Sequence, residues 1–245
     1  MTQQDPDLEV RKSASDIWTT CCSQCEPSDG DDEGPTFSSV LVPLLKQYAP
    51  SLIGTLLDGM VYSEIDLQQI QAELRDAAKL HGNSVAPGLI SGVTADDDDD
   101  EGEDRDEIDP EEEWTLRKAC AKSLDELSKL IGSAEFFALL AQQLHARMQS
   151  SDWRHQECAL LAIGAVAPGC DKAIVATGAL SGIFSHVVQV LQQPQPHFLI
   201  TTIGCWTISR LSAMFATEKA AIHSVLSVLC NYLGSENPKV LFSHH

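Results

Sequence analysis

Three groups of side chains in this 245-residue chain have types and spacings that could do chemistry. Cys21-Cys22-x-x-Cys25 brings three thiols close together, a set able to hold a soft metal ion. No second thiol pair or neighbouring His completes a four-donor zinc site, so reduced cysteines at a helix end are the simpler account. The run Asp96, Asp97, Asp98, Asp99 and Asp100, continued by Glu101, Glu103 and Asp104, offers many hard oxygens. It lacks the glycine-turned alternation by which an EF-hand loop wraps calcium, and reads either as solvated charge or as an attractor for basic ligands. Trp206 and Arg210 stand four residues apart, one helical turn on one face, and set a cation beside a large apolar platform. That pairing suits capture of a peptide, and the competing use of the same Trp is to fill the core between helices.

Catalytic motifs are missing. There is no Gly-rich phosphate loop, no His-Glu-x-x-His, no Gly-x-Ser-x-Gly and no paired Cys-x-x-Cys, and the eight histidines have no ligand spacing. The expectation is no enzyme, no catalytic residue, no metal and no cofactor. Thirty-six acidic against 16 basic residues give a net charge of -20, which disfavours nucleic acid and anionic bilayers as direct partners and favours basic ones. The start Met1-Thr2-Gln3-Gln4-Asp5 has no signal-peptide character and no Asn-x-Ser/Thr site occurs, so the eight cysteines read as reduced. Cys21, Cys22, Cys120, Cys158, Cys205 and Cys230 fall in apolar helical stretches, as small buried hydrophobes do. Apolar runs read as too short for a transmembrane span, which places the chain in cytosol or nucleus.

The elements that must position these residues are helical. With 43% apolar and only 6% aromatic residues the chain can bury a core of aliphatic helices. In Trp114 to Ile131 the apolar residues Cys120, Leu124, Leu127 and Ile131 step by 4, 3 and 4, and Ile222, Val225, Leu226, Leu229 and Leu233 repeat the pattern. Asp109 before Pro110 and three glutamates marks a helix start, Ser133 and Asp152 are candidate caps for the next two helices, and Pro168-Gly169 and Pro194 with Pro196 are read as helix stops. Residues 96 to 113 carry 14 acids and one Arg, -13 of the total charge, inside a Gly-, Pro- and Ser-broken stretch. The stretch is expected to be a disordered acidic loop inserted in an ordered domain.

Helix starts at Trp114, Trp153, Phe198 and Pro238 are 39, 45 and 40 residues apart, and the first three each open a two-helix unit, with Leu8 opening a similar stretch. That is a HEAT-type period. The expected fold is all-α, a HEAT-repeat α-solenoid coiled as a right-handed superhelix. Residues 1–63 hold the helices before the loop, 64–113 the disordered acidic loop, and 114–245 about three repeats, the last one truncated. Neither end has a polar cap repeat, so the chain reads as a piece from the middle of a longer solenoid.

Three stretches carry a family resemblance: Asp58-Gly59-Met60-Val61-Tyr62-Ser63-Glu64-Ile65-Asp66, Trp114-Thr115-Leu116-Arg117-Lys118, and the pair Ala162-Ile163-Gly164-Ala165-Val166-Ala167 and Cys205-Trp206-Thr207-Ile208-Ser209-Arg210. With these the chain resembles the transportins, nuclear import receptors of the importin-β superfamily, over their middle HEAT repeats and the acidic loop between the two helices of one repeat. The resemblance implies a carrier shuttling between cytoplasm and nucleus. It would bind protein cargo through a basic proline-tyrosine-type nuclear localisation signal, pass nucleoporins, and release cargo when Ran-GTP acts through the loop. It also implies that Asp125, Leu161, Ile203, Trp206 and Arg210 contact the signal, whereas Lys122 stands where a small residue is expected. Two other readings compete: a HEAT-repeat scaffold, and an acidic chaperone for basic proteins that would use the loop as its main binding element.

Overall fold

A computed structural model describes residues 7–23, 37–80, 115–194, 196–217 and 219–233. Nine helices occur among them, with no strand: α1 (Leu8–Ser23), α2 (Phe37–Met60), α3 (Glu64–Leu80), α4 (Leu116–Ile131), α5 (Ser133–Met148), α6 (Trp153–Ala176), α7 (Ala179–Leu191), α8 (Phe198–Arg210) and α9 (Lys219–Leu233). A 3-10 turn, Ser212–Thr217, lies between α8 and α9.

The helices stack in two layers. One runs α1, α4, α6, α8, each against the next, while in the other α2 meets α5 and α7 meets α9. Between layers the closest pairings are α2 with α4, α5 with α6 and α7 with α8. The repeat period is therefore as expected, but the hairpin units are offset by one helix from the sequence-based division, because α4 packs more extensively on α2 than on α5. The residues between α2 and α4 thus fall inside one hairpin. The result is an all-α, HEAT-type solenoid.

The 4-3-4 stripe of α4 is what seats it: Cys120, Leu124, Leu127 and Ile131 are all buried. α6 is buried along most of its length, from Cys158 through Ala167, since it has neighbours in both layers. Each fully buried Leu or Ile in this core contributes roughly 2 kcal/mol. Two buried hydroxyls donate to carbonyls of neighbouring helices: Ser123 reaches Ser15 O at 2.9 Å and Thr207 reaches Leu160 O at 2.9 Å. These bonds fix the register of α4 on α1 and of α8 on α6.

Several local expectations change. Residues 64–80 of the expected loop form α3, whose start is a reciprocal cap: Ser63 N donates to Asp66 Oδ2 at 2.6 Å and Asp66 N to Ser63 Oγ at 3.1 Å. Most described side chains of α3 are exposed, Ile65 at 68%, so local capping rather than packing shapes it. The rest of 64–113, including the acidic run and Asp109, lies outside the described residues, as do Trp114 and Pro238. α4 begins at Leu116, capped by Thr115. Gly132, at φ 100°, rather than Ser133 occupies the cap of α5, whereas Asp152 caps α6 by accepting from Arg154 N at 3.0 Å. Pro168 does not end α6, which continues to Ala176.

Cys120, Cys158 and Cys205 are buried as expected, Cys170 joins them, and Cys230 is exposed because it lies off the apolar stripe of α9. By length and composition two stretches, Ser39–Asp76 and Trp153–Ala176, are apolar enough to cross a membrane, contrary to the sequence estimate. In the second, the apolar character is that of a core helix, most of it buried inside the stack.

Candidate peptide-binding face on the first layer

The residues singled out in the sequence come together where α4, α6 and α8 adjoin. Trp206 is half-buried and its six-membered ring meets α6 at Gly164, where a Cβ would come within 2.2 Å of the indole Cζ3. Only glycine admits the ring there. Arg210, one turn on, has its guanidinium 5.8 Å from the Trp206 ring centroid and its Nε donating to Gly164 O at 3.4 Å. That carbonyl is free for a reason written in the sequence: Pro168, four residues later, has no N–H to complete the helical bond. The proline read as a helix stop instead supplies an acceptor that anchors Arg210.

Asp125 on α4 completes the cluster. Its Oδ2 pairs with Lys129 at 3.1 Å and its Oδ1 is buried without a partner among the described residues. Burial raises the carboxyl above the usual range, opposed by Lys129 and, more weakly, by Arg210. Asp125 is thus an acid short of one donor. Lys122 is exposed one turn earlier on α4. Leu161 and Ile203 do not open onto this surface: Leu161 is 0% exposed and Ile203 is 7% exposed, both in the core.

Past Arg210 opens a cleft of about 360 Å³ between the middle of α6 and the turn after α8, with Ala167, Pro168, Asp171, Ser209 and Met214 among its walls. Among the described residues no group of three or more His, Cys, Asp or Glu is arranged to hold a metal ion. Cys21 and Cys22 belong to α1, and Cys25 lies outside the described residues.

A second cluster, at the N-terminal ends of the same helices, escapes the sequence reading. Arg117 of α4 donates to Met60 O and to Glu157 Oε1 of α6, and its guanidinium lies over the Tyr62 ring at 4.1 Å. Glu157 is 1% exposed, and burial raises its carboxyl above the ordinary range against the pull of Arg117. Tyr62 is 6.2 Å from Trp153, which stacks on His197 at 3.9 Å with an 11° interplanar angle. His197 in turn accepts from Leu199 N at its Nδ1 and caps α8. This ladder ties α2, α4, α6 and α8 along one edge. Its members come from helix starts and connections far apart in sequence, and Trp153 and Phe198 signal only helix starts.

Comparisons with known proteins agree with this architecture. No family model matches the chain. It is similar to Transportin-1 of Oryza sativa subsp. japonica, 31% identical over 218 residues, 84% of this chain and 21% of that protein. It is also similar to Transportin of Dictyostelium discoideum, 26% identical over 97% of this chain and 29% of that protein. In fold it resembles the crystal structure of Kap121p, with a TM-score of 0.61 and 20% identity over 98% of this chain and 19% of that one, and the karyopherin Kap121p bound to the extreme C-terminus of the protein phosphatase Cdc14p, with a TM-score of 0.55 and 20% identity over 96% of this chain and 21% of that one. The chain therefore spans about a fifth to under a third of the length of the relatives it matches. Its two-layer helix stack and its similarity to the transportins across most of its length mark it as a transportin-like member of the karyopherin-β family.

Proposed function

We propose that this chain is the cargo-holding stretch of a nuclear import receptor that shuttles between cytoplasm and nucleus. It binds the basic proline-tyrosine-type nuclear localisation signal of a protein cargo across α4, α6 and α8. The observation that carries the reading is the Trp206 ring seated on Gly164 with Arg210 fixed beside it and the under-satisfied Asp125 on the next helix. Trp206 takes an apolar or aromatic signal residue, Asp125 a basic one, and Arg210 a polar or terminal group. Lys122 narrows the approach to Asp125 and shifts preference among cargos. Kinship with the transportins, and the fold shared with a karyopherin bound to a protein tail, support the reading.

Release is assigned to Ran-GTP acting through the acidic segment, and passage to contacts with nucleoporins. A segment carrying -13 over residues 96–113 competes for the basic part of a signal at the high effective concentration a tether provides. The test is binding of a basic proline-tyrosine peptide and of a bare histone tail to the same protein. Binding of the peptide, lost in Trp206→Ala, supports the receptor reading, and binding of the histone tail alone favours an acidic chaperone. Deleting Asp96 to Glu113 from a full-length receptor leaves cargo binding intact without Ran and reduces Ran-driven release. Full release from the deletion protein would make the segment a solvated spacer.

A further inference from the structure

We infer that the cleft past Arg210 is a second subsite for the segment held on Trp206, taking an apolar side chain flanked by an acidic residue at Arg210 and a basic residue at Asp171. The inference rests on the reading of this face as a peptide site and extends it by about one extended tripeptide. Two opposite charges line one cleft and leave each other unpaired. Among the described residues Arg210 makes no ion pair, and the Asp171 carboxylate accepts only the amide of Lys172, at 2.6 Å. Free charges of opposite sign on a common cleft close on one another unless they are held apart, and Arg210 is held, by the Gly164 carbonyl that Pro168 releases and by the indole face. The same cleft is lined by apolar groups: Ala167 and Pro168 from α6 and the buried Met214 from the turn.

The dimensions favour a chain over a small molecule. At about 360 Å³ the cleft lies at the lower end of ligand pockets, which run from about 300 to 1,000 Å³. Trp206 and Arg210 are separated by about 6 Å along α8, roughly two residues of an extended peptide. A segment whose apolar residue rests on Trp206 therefore brings its next or next-but-one residue to Arg210 and the following side chain onto Pro168 and Met214. Charge complementarity sets the order acidic, apolar, basic, and distinguishes this subsite from a surface that merely attracts cations.

The experiment measures fluorescence anisotropy of labelled peptides with the 245-residue protein. A core of basic residues ending in Pro-Tyr is extended by Glu-Leu-Lys, by Lys-Leu-Glu or by Ala-Leu-Ala, each amidated. Glu-Leu-Lys should bind about tenfold tighter than Ala-Leu-Ala, and Lys-Leu-Glu no tighter. Asp171→Lys should invert the last choice, preferring Glu-Leu-Glu to Glu-Leu-Lys, with an unchanged helical circular dichroism spectrum, and Asp171→Asn should erase the preference. Equal affinity for both charge orders with intact core binding overturns the subsite and leaves the Trp206 site standing. A core extended by Ala-Leu with a free carboxylate that equals Glu-Leu-Lys overturns it in favour of a terminus pocket, and absence of binding by every peptide overturns both readings.

Discussion

Arg210 donates through Nε to the carbonyl of Gly164 on the neighbouring helix, at 3.4 Å, because Pro168 leaves that carbonyl without its own donor. A proline inside a helix costs about 3 kcal/mol where nothing compensates. Here the lost bond is replaced across the repeat junction, and the replacement fixes the cation that borders the Trp206 platform. The missing hydrogen bond in α6 and the geometry of the site have one origin. Pro168→Ala should restore a backbone N–H that the Gly164 carbonyl can accept from within α6, stabilise that helix, and weaken peptide binding by freeing Arg210. Tighter binding in this variant would show that Arg210 does not need its anchor.

Gly164→Ala tests the seat of the ring. A methyl group 2.2 Å from Cζ3 forces the indole outward, with a stability loss of about 1 to 3 kcal/mol and a red-shifted Trp emission. Trp206→Ala should weaken signal-peptide binding by about 2 kcal/mol or more, as hot-spot truncations do. A loss under about 0.5 kcal/mol in a folded variant would assign Trp206 to the core alone.

Asp125→Asn separates stability from binding. Burial holds the folded carboxyl above its unfolded value of about 3.9, so the folded state takes up a proton more readily and this residue's contribution falls as pH rises from that value through the folded one. Removing the charge should leave the protein no less stable at pH 7, flatten that part of the acid titration measured by urea unfolding, and weaken peptides with a basic residue. Unchanged affinity for such peptides would remove Asp125 from the site.

Breaking the Arg117–Glu157 pair should be costly in one direction only. Arg117→Met leaves Glu157 buried without its cation and should lose about 3 to 5 kcal/mol, whereas the double substitution Arg117→Met with Glu157→Met should recover most of the loss. Additive losses in the urea-derived cycle would mean that the two side chains act independently.

Thiol reactivity gives a map of the stack. Burial pushes Cys158 up to about 12 and Cys120 and Cys170 up to about 11. Under native conditions at pH 8 these three should resist iodoacetamide, with Cys230, exposed on α9, alkylated first. Mass spectrometry of the alkylated sites checks the order, and early labelling of Cys158 would show that α6 opens from α2.

Legibility follows the range over which each signal acts. The starts of α6 and α8 fall on Trp153 and Phe198 as expected, since Asp152 and the apolar repeat are local features. α3 is hidden because its cap uses Asp66 instead of Glu, at the third position, and because its short stripe of Leu67, Ile70 and Leu74 is only half-buried and borders a Gly-, Pro- and Ser-broken stretch. Pro168 reads wrongly as a stop because its consequence is met by Arg210, 42 residues further on in a different repeat. Trp206 and Arg210 are visible as a pair. Leu161 and Ile203 lie in the core, because apolar spacing marks a helix face without telling a core face from an exposed one. The Arg117 ladder cannot be seen at all in the sequence, because its rungs come from helix starts and connections far apart along the chain.

That ladder gives the stack an asymmetric hinge. At the N-terminal end of α8, Trp153 and His197 clasp two neighbouring units ring to ring, with Tyr62 and Arg117 extending the clasp to a third. At the other end, about 20 Å away along the helix, the units meet across an open cleft with an apolar floor. Bending the solenoid at this junction shears stacked rings at one edge and only widens a gap at the other. The softer direction of flexing is therefore the one that opens or pinches the space beside Arg210.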